Sequence, residues 1–153
     1  MIRVHRLTAQ DPLAQQEEHL RDDILLKPIG FTMGMFRKEF PSFDKAAERF
    51  VAVFDHPTGD KVVGCVALLP HHPRPGVGKL MQMCVDTQMQ RSGVGRKLVA
   101  ALEKRAFGEI GLIELFCHAR ADAVPYYEKL GWVVEGDKFM EAGVEHYKMT
   151  LRG

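Results

Sequence analysis

Leu80-Met81-Gln82-Met83-Cys84-Val85-Asp86-Thr87-Gln88-Met89-Gln90-Arg91-Ser92-Gly93-Val94-Gly95-Arg96-Lys97-Leu98 is the stretch on which the reading of this chain turns. An apolar run ending at Val85 reads as a strand. It passes through a short polar turn into a helix that opens around Gly93 and Gly95. Consecutive backbone amides at the positive end of that helix point into one space, a geometry that holds an anion. Gly93 and Gly95 leave out side chains that would block close approach to the backbone. Arg91, Arg96 and Lys97 add charge-assisted contacts, so the expected ligand carries a phosphate or pyrophosphate. A P-loop needs Gly-x-x-x-x-Gly-Lys-Ser/Thr, which the Arg96-Lys97-Leu98 that follows Gly95 does not supply. A dinucleotide fingerprint needs a third glycine where Leu98 stands. The pattern that fits is Gln/Arg-x-x-Gly-x-Gly/Ala, here Gln90-Arg91-Ser92-Gly93-Val94-Gly95.

Downstream, the helix is predicted over residues 93–107, with Val94, Leu98, Ala101 and Leu102 as its apolar stripe and Gly108 as its end. Residues 112–117 read as a strand. A short helix over residues 122–130 follows, with Asp122 as N-cap, Pro125 in the first turn and Gly131 as the C-terminal stop. Residues 132–134 and 144–151 read as closing strands, the second with Tyr147, Met149 and Leu151 on one face. Upstream, residues 79–85 form the strand already quoted, and residues 49–55 and 61–69 form a hairpin around Pro57 and Gly59. Residues 2–7 alternate as a first strand, and two short helices follow Asp11-Pro12. Residues 31–43, with Met33, Met35, Phe36, Phe40 and Phe43 among Gly34 and Pro41, suit an irregular pocket wall or core filler. His71 and His72 fall in a Pro- and Gly-rich loop. Residues 1–153 are expected to form one domain.

The 153 residues carry a net charge of +1, which argues against a chain built to coat nucleic acid. The longest apolar run, residues 62–69, falls far short of the roughly 20 residues that span a bilayer, so no membrane partner is expected. Nothing at the first residues reads as a secretory signal, and a cytoplasmic location is the expectation. Cys65, Cys84 and Cys117 sit singly in apolar runs, as buried free thiols do. No Cys-x-x-Cys or His-x-x-x-His spacing occurs, so no metal is expected.

The strand Met83-Cys84-Val85, the turn and helix of residues 90–95, and the later His118-Ala119-Arg120 and Tyr126-Tyr127-Glu128-Lys129-Leu130-Gly131-Trp132 together resemble the GCN5-related N-acetyltransferase (GNAT) family. The last stretch is similar to that family's Asn-Ala-Arg and Phe-Tyr-Glu-Lys-Leu-Gly-Phe patterns. The resemblance implies an α/β (α+β) acyl-CoA N-acyltransferase fold. Its mixed, twisted sheet would have about six or seven strands, flanked by about four helices, with two central strands splayed apart. It implies acetyl-CoA as co-substrate, its pantetheine bonded by unpaired groups of Met83, Cys84 and Val85. The pyrophosphate would be wrapped by Gln90, Arg91, Ser92, Gly93, Val94, Gly95 and Arg96. It further implies that the Val85 amide stabilises the oxyanion of a tetrahedral intermediate. Tyr127 would protonate the departing thiolate, with Tyr126 as the packing residue of the pair, and His118 would orient the cofactor or cap its strand.

Acyl transfer to an amine also needs a base, because alkylammonium groups titrate near pH ~10.4. The strand position where the family often has an acidic residue falls at Gln82 or Met83, neither of which accepts a proton usefully. Glu141, His146, His118 or a water chain remain as candidates. Phe139-x-Glu141-x-Gly143-Val144-x-His146-x-x-Met149 resembles the tail of one subgroup of the family, with Glu145 in place of its usual proline. The implied reaction is acetylation of a primary amine, of a small molecule rather than of a protein N-terminus or lysine. A noncatalytic acyl-CoA sensor is the alternative from another class. Homodimers are common in the family, and nothing in the sequence fixes the oligomeric state.

Overall fold

The computed structural model describes residues 1–8 and 10–153; at position 44 it describes the backbone. Runs rich in β-branched and aromatic residues build one sheet of eight strands. The strands are β1 (Ile2–Leu7), β2 (Glu48–His56), β3 (Gly59–Leu69), β4 (Val77–Val85), β5 (Glu114–Arg120), β6 (Val133–Val134), β7 (Phe139–Glu141) and β8 (Val144–Arg152). Their order is β1-β2-β3-β4-β5-β8-β6, with β7 also paired to β8. Every pairing is antiparallel except that of β4 with β5. The eight strands exceed the expected six or seven because the tail contributes both the two-residue β6 and the hairpin strand β7.

Strand alternation sorts the side chains onto two faces. On the back, α4 (Val94–Glu103) lays Val94, Leu98, Val99 and Leu102 over Phe50, Val66, Leu68, Leu80 and Leu115. Tyr127 of α5 (Val124–Lys129) packs into the same cluster with Trp132 and Met149. On the front, α1 (Ala14–Arg21) covers β2 to β4 through Leu20 and neighbours packed on Val51, Val53, Cys65 and Cys84. Beside it, α2 (Met33–Glu39) and α3 (Phe43–Ala46) pack Met33, Phe36 and Phe43 with Leu26 against Ala67 and Met81. Farther along the front, over β5, the loop after β3 takes over: His72 stacks on Phe116 with ring centroids 6.4 Å apart.

Local chemistry corrected several expected boundaries. Residues 31–43 are mostly helical: Thr32 caps α2 by accepting the Met35 amide at 3.1 Å, so Gly34 is tolerated inside a helix whose Met33 and Phe36 reach the core. The helix after Gly93 runs on as a wider turn, Lys104–Ile110, straight through Gly108, because Ala106 is fully buried and anchors it; Gly111, at φ +84°, ends it. β5 accordingly starts at Glu114. Asp122 lies in a single 3₁₀ turn, Ala121–Ala123, and α5 starts from Ala123 with no side-chain cap; Pro125 occupies the first turn as expected.

The sheet opens at its centre. β4 and β5 pair only from Val77/Glu114 to Lys79/Phe116, and beyond that vertex the two strands part. On its other edge β4 carries a bulge. Cys65 pairs with Cys84 and Ala67 with Met81, which leaves β4 one residue longer than β3 between those pairs. Gln82, inside the bulge, has φ +50°.

Candidate active site

The parted strands form the floor of a cleft of about 1380 Å³ that runs from the start of α4 to the front helices. Met83, Cys84, Val85, Gln90, Arg91, Gly93, Gly95, Arg96, His118, Tyr127, Glu141 and His146 all line it. Ser92 and Val94 do not: the Ser92 hydroxyl donates to the Met89 carbonyl, and Val94 is 1% exposed in the core under α4.

At the α4 end, φ is +66° at Arg91 and +85° at Gly93, so the turn doubles back just before the helix. The first bond of this helix runs from the Lys97 amide to the Gly93 carbonyl, at 3.1 Å. The amides of Val94, Gly95 and Arg96 therefore have no acceptor one turn earlier and form the positive end of the helix. Gln90 folds back to donate to the Val85 carbonyl at 3.3 Å, tying this turn to the end of β4. Gly95 is crowded: a Cβ there would lie 2.4 Å from the Tyr126 hydroxyl and 3.1 Å from Met83 Cε.

Along β4, the Asp86 amide donates to the Val63 carbonyl at 2.8 Å. Antiparallel alternation then turns the Val85 amide away from β3 and into the cleft, while that of Cys84 turns toward Cys65. The expectation of three unpaired positions is thus corrected at Cys84, whose contribution to the cleft is its side chain. Cys84 and Cys65 are buried with sulfurs 3.3 Å apart, and Cys117 is buried with its thiol pushed up to about 12 by burial.

The two tyrosines exchange the packing roles expected of them. Tyr127 is the buried one, edge-on to Trp132 at 5.7 Å, whereas Tyr126 is 39% exposed beside Gly95. Burial pushes the Tyr127 hydroxyl far above its ordinary titration range, so it holds its proton at any physiological pH. Among the described residues that hydroxyl has no hydrogen-bond partner, and its residue borders the cleft.

On the front of β5 and β8 stands a linked trio. Glu141 Oε1 is 3.0 Å from His118 Nδ1, and Glu141 Oε2 is 3.6 Å from His146 Nε2. His146 Nδ1 donates to the Val144 carbonyl at 2.9 Å, which leaves Nε2 facing the carboxylate. Alternation on β8 puts His146 on the face opposite Met149 and Leu151, as expected, but that face is inside the cleft mouth: His146 is 8% exposed. His118 lies in this trio and not at the α4 corner, because Cys117 and Ala119 take the α4 side of β5. Among the described residues no group of three His, Cys, Asp or Glu side chains could hold a metal ion.

Two features escaped the sequence reading. Lys79, at the vertex, points into the cleft with Nζ 5.8 Å from the Phe116 ring, and burial lowers its amine below the ordinary lysine value despite Glu141 nearby. Arg21, 1% exposed on α1, donates from Nη1 to Gln82 Oε1 at 2.7 Å and pairs with the equally buried Glu17 at 3.2 Å. An isolated lysine in a strand carries no signal of its own. The Glu17-x-x-x-Arg21 spacing does, since i,i+4 charges face each other, but it does not distinguish a buried pair from an exposed one.

The splayed strands, the helix that starts at their open end and the proton-bearing groups along both edges define a group-transfer site. Residues 33–152 match the family described as the acetyltransferase (GNAT) domain. YjcF of Bacillus subtilis, described as an uncharacterized N-acetyltransferase, is 31% identical over 141 residues, which is 90% of this chain and 95% of that protein. An acyl-CoA N-acyltransferase from Pseudomonas aeruginosa has a similar fold, with TM-score 0.73, 15% identity and coverage of 98% of this chain and 99% of that one. So does an aminoglycoside 6'-N-acetyltransferase complexed with coenzyme A, with TM-score 0.76, 17% identity and coverage of 98% and 96%. The chain belongs to the GNAT acetyltransferase family and is an acyltransferase. Among the described residues no helix is long and apolar enough to cross a membrane.

Proposed function

We propose that the protein transfers the acetyl group of acetyl-CoA to a primary amine of a small molecule, by direct attack through a tetrahedral intermediate. The observation that carries this reading is the opening of β4 from β5 beyond Lys79, leading straight to the unpaired amides at the start of α4. The residues present fit the co-substrate. Gln90, Arg91, Ser92, Gly93, Val94, Gly95 and Arg96 surround a diphosphate with main-chain N–H groups and two guanidinium groups. The Met83–Val85 edge offers the pantetheine arm a strand to pair with, and Val85 supplies its amide to the oxyanion. The aminoglycoside enzyme of similar fold is itself described as bound to coenzyme A.

In this scheme His146 Nε2 takes the proton of the acceptor ammonium, and the Glu141 carboxylate 3.6 Å away stabilises the imidazolium that forms. His118, bonded to the other carboxylate oxygen at 3.0 Å, keeps Glu141 turned toward His146. The neutral amine attacks the thioester carbon, the C–N bond forms and the C–S bond breaks. Tyr127, kept protonated by its burial, gives its proton to the leaving sulfur, and the second proton, lost by the nitrogen as the tetrahedral intermediate collapses to the amide, replaces it.

Three measurements test this. Coenzyme A at about 100 times its dissociation constant should raise folding stability by roughly 2.7 kcal/mol. A mixed amine panel should release thiol from acetyl-CoA over many turnovers. Tyr127→Phe should slow that release, by about 10² or more if proton transfer is in the slow step, with acetyl-CoA still bound. Tight binding with no turnover on any amine overturns the enzyme reading in favour of a sensor. Turnover on protein N-termini or lysines alone overturns the small-molecule acceptor, and a wild-type rate for the Tyr127 variant removes that tyrosine from the mechanism.

A further inference from the structure

The acceptor's chemistry is written in what remains of the cleft once the β4 edge and the α4 corner are assigned to the co-substrate; the following rests on the acetyl transfer proposed above. On the front side the cleft is walled by Leu25, Leu26, Ile29, Phe31, Phe36 and Phe40. Ile29 and Phe40 are 52% and 49% exposed. This wall suits an apolar body and offers no hydrogen bonds to a polyhydroxylated or multiply charged one.

The charges narrow the choice further. Among the described residues three carboxylates line the cleft. Glu141 is bonded to His118, Asp122 stands 3.5 Å from Arg120, and of these only Glu39 is left without a partner of that kind. A polyamine, which needs one counter-charge per ammonium, finds one. Among the cations, Arg91 and Arg96 stand at the α4 start, Lys129 is exposed on α5 and Arg120 has Asp122. Lys79 is different. It sits at the vertex of the splay, half-buried, with the Phe116 ring beneath its ammonium and no carboxylate within 4 Å among the described residues. Lys148 lies 5.2 Å from the same ring, but Glu135 is its partner at 3.4 Å. A cation drawn partly out of water, with Glu141 near it but no carboxylate in contact, is costly to the empty protein, and a carboxylate arriving with the ligand lowers that cost.

We infer that the acceptor is an amine that also bears a carboxylate and a large apolar group, that is, an α-amino acid with an apolar side chain, and that Lys79 binds its carboxylate. The apolar side chain lies against Phe36 and Phe40, and the amine faces the thioester and His146.

The test is thiol release from acetyl-CoA with L-phenylalanine, L-leucine and L-methionine, set against L-phenylalaninamide, phenethylamine and spermidine. The amino acids should exceed their carboxylate-free counterparts in kcat/KM by at least about 10-fold, the size expected of one charge-assisted hydrogen bond. Lys79→Met should collapse that ratio through KM, and Lys79→Arg should restore it. Stabilisation by coenzyme A, measured on each variant, separates loss of fold or of co-substrate from loss of the acceptor. Phenethylamine or spermidine turning over as well as the amino acids overturns the inference alone, as does a ratio that survives Lys79→Met. No thiol release from any amine, with coenzyme A bound, overturns the acetyl-transfer reading and this inference together.

Discussion

Gly95 shows how one position can be recognisable in sequence for a reason that is only half of its structural role. The motif marks it as a place where a ligand's phosphate needs the backbone bare, and in the folded chain it is also where the Tyr126 hydroxyl rests, 2.4 Å from where a Cβ would be. Tyr126 is 39% exposed and has room to swing out, so Gly95→Ala should fold and bind coenzyme A more weakly. Gly95→Glu adds a negative charge facing the proposed diphosphate site and should abolish binding in isothermal titration, with the melting transition still cooperative. Affinity equal to wild type would remove the phosphate assignment from this corner. Lys79 and Gln82 had no comparable signature. Whether a strand residue takes φ +50°, or a lysine loses its water, depends on which neighbours the sheet brings alongside, and those are tens of residues away in the chain.

At the scale of elements, the bulge in β4 is held from outside the sheet. Gln82 in a left-handed conformation is strained, and the bond from Arg21 to its side chain offsets that strain while fixing where Met83 and Val85 point. Removing Arg21 alone would leave Glu17 buried with, among the described residues, Arg49 at 3.5 Å as its ion-pair partner, a loss of the kind that costs about 3–5 kcal/mol. The informative variant is therefore Glu17→Gln with Arg21→Met. It should fold, raise KM for acetyl-CoA and lower kcat, and Gln82→Gly in that background should restore much of the loss, since glycine takes the bulge conformation unaided. Failure of the glycine to rescue would mean that α1 acts through packing and not through Gln82. Strands were the legible elements here, because β-branched runs between turn residues have few other ways to be buried. Helix limits were less so: Gly108 looks like a stop, but burial of Ala106 outweighs the small helix penalty of one glycine. The pocket wall of residues 31–43 was seen by composition, and its helical form was hidden by Gly34 and Pro41.

Across the whole molecule, Glu48 joins three parts of the chain. From β2 it accepts Arg6 of β1 at 2.9 Å and Arg105 of the back helix at 2.7 and 3.2 Å. Burial pushes this carboxyl up, but the bonds to Arg105 and Arg6 outweigh burial and hold it below its ordinary value of 4.5. A carboxyl depressed in the folded state contributes stability that is fully present above pH 4.5 and fades as pH falls through the lower folded value. Glu48→Gln should therefore lower the urea midpoint at pH 7 and leave it less sensitive to acid between pH 5 and pH 3, on the order of the range in which such groups titrate. An acid limb as steep as wild type would assign that sensitivity to other carboxylates. The fold class, the order of elements and the α4 corner were legible from residues 80–98 and 118–132, where local pattern and chemistry coincide. The acceptor side was not, since it is assembled from residues 24–31 after α1, from α2, β4, β5 and the tail, none of which carries the pattern alone. The three-residue vertex between β4 and β5 has a last consequence. A sheet joined across its middle by so short a seam is two half-sheets sharing a hinge, and under the proposed acetyl transfer a substrate arm laid between them would act as the missing rung. Every catalytic cycle would then begin with the protein becoming stiffer and end with it loosening, so that letting go of spent coenzyme also means giving up a piece of the scaffold.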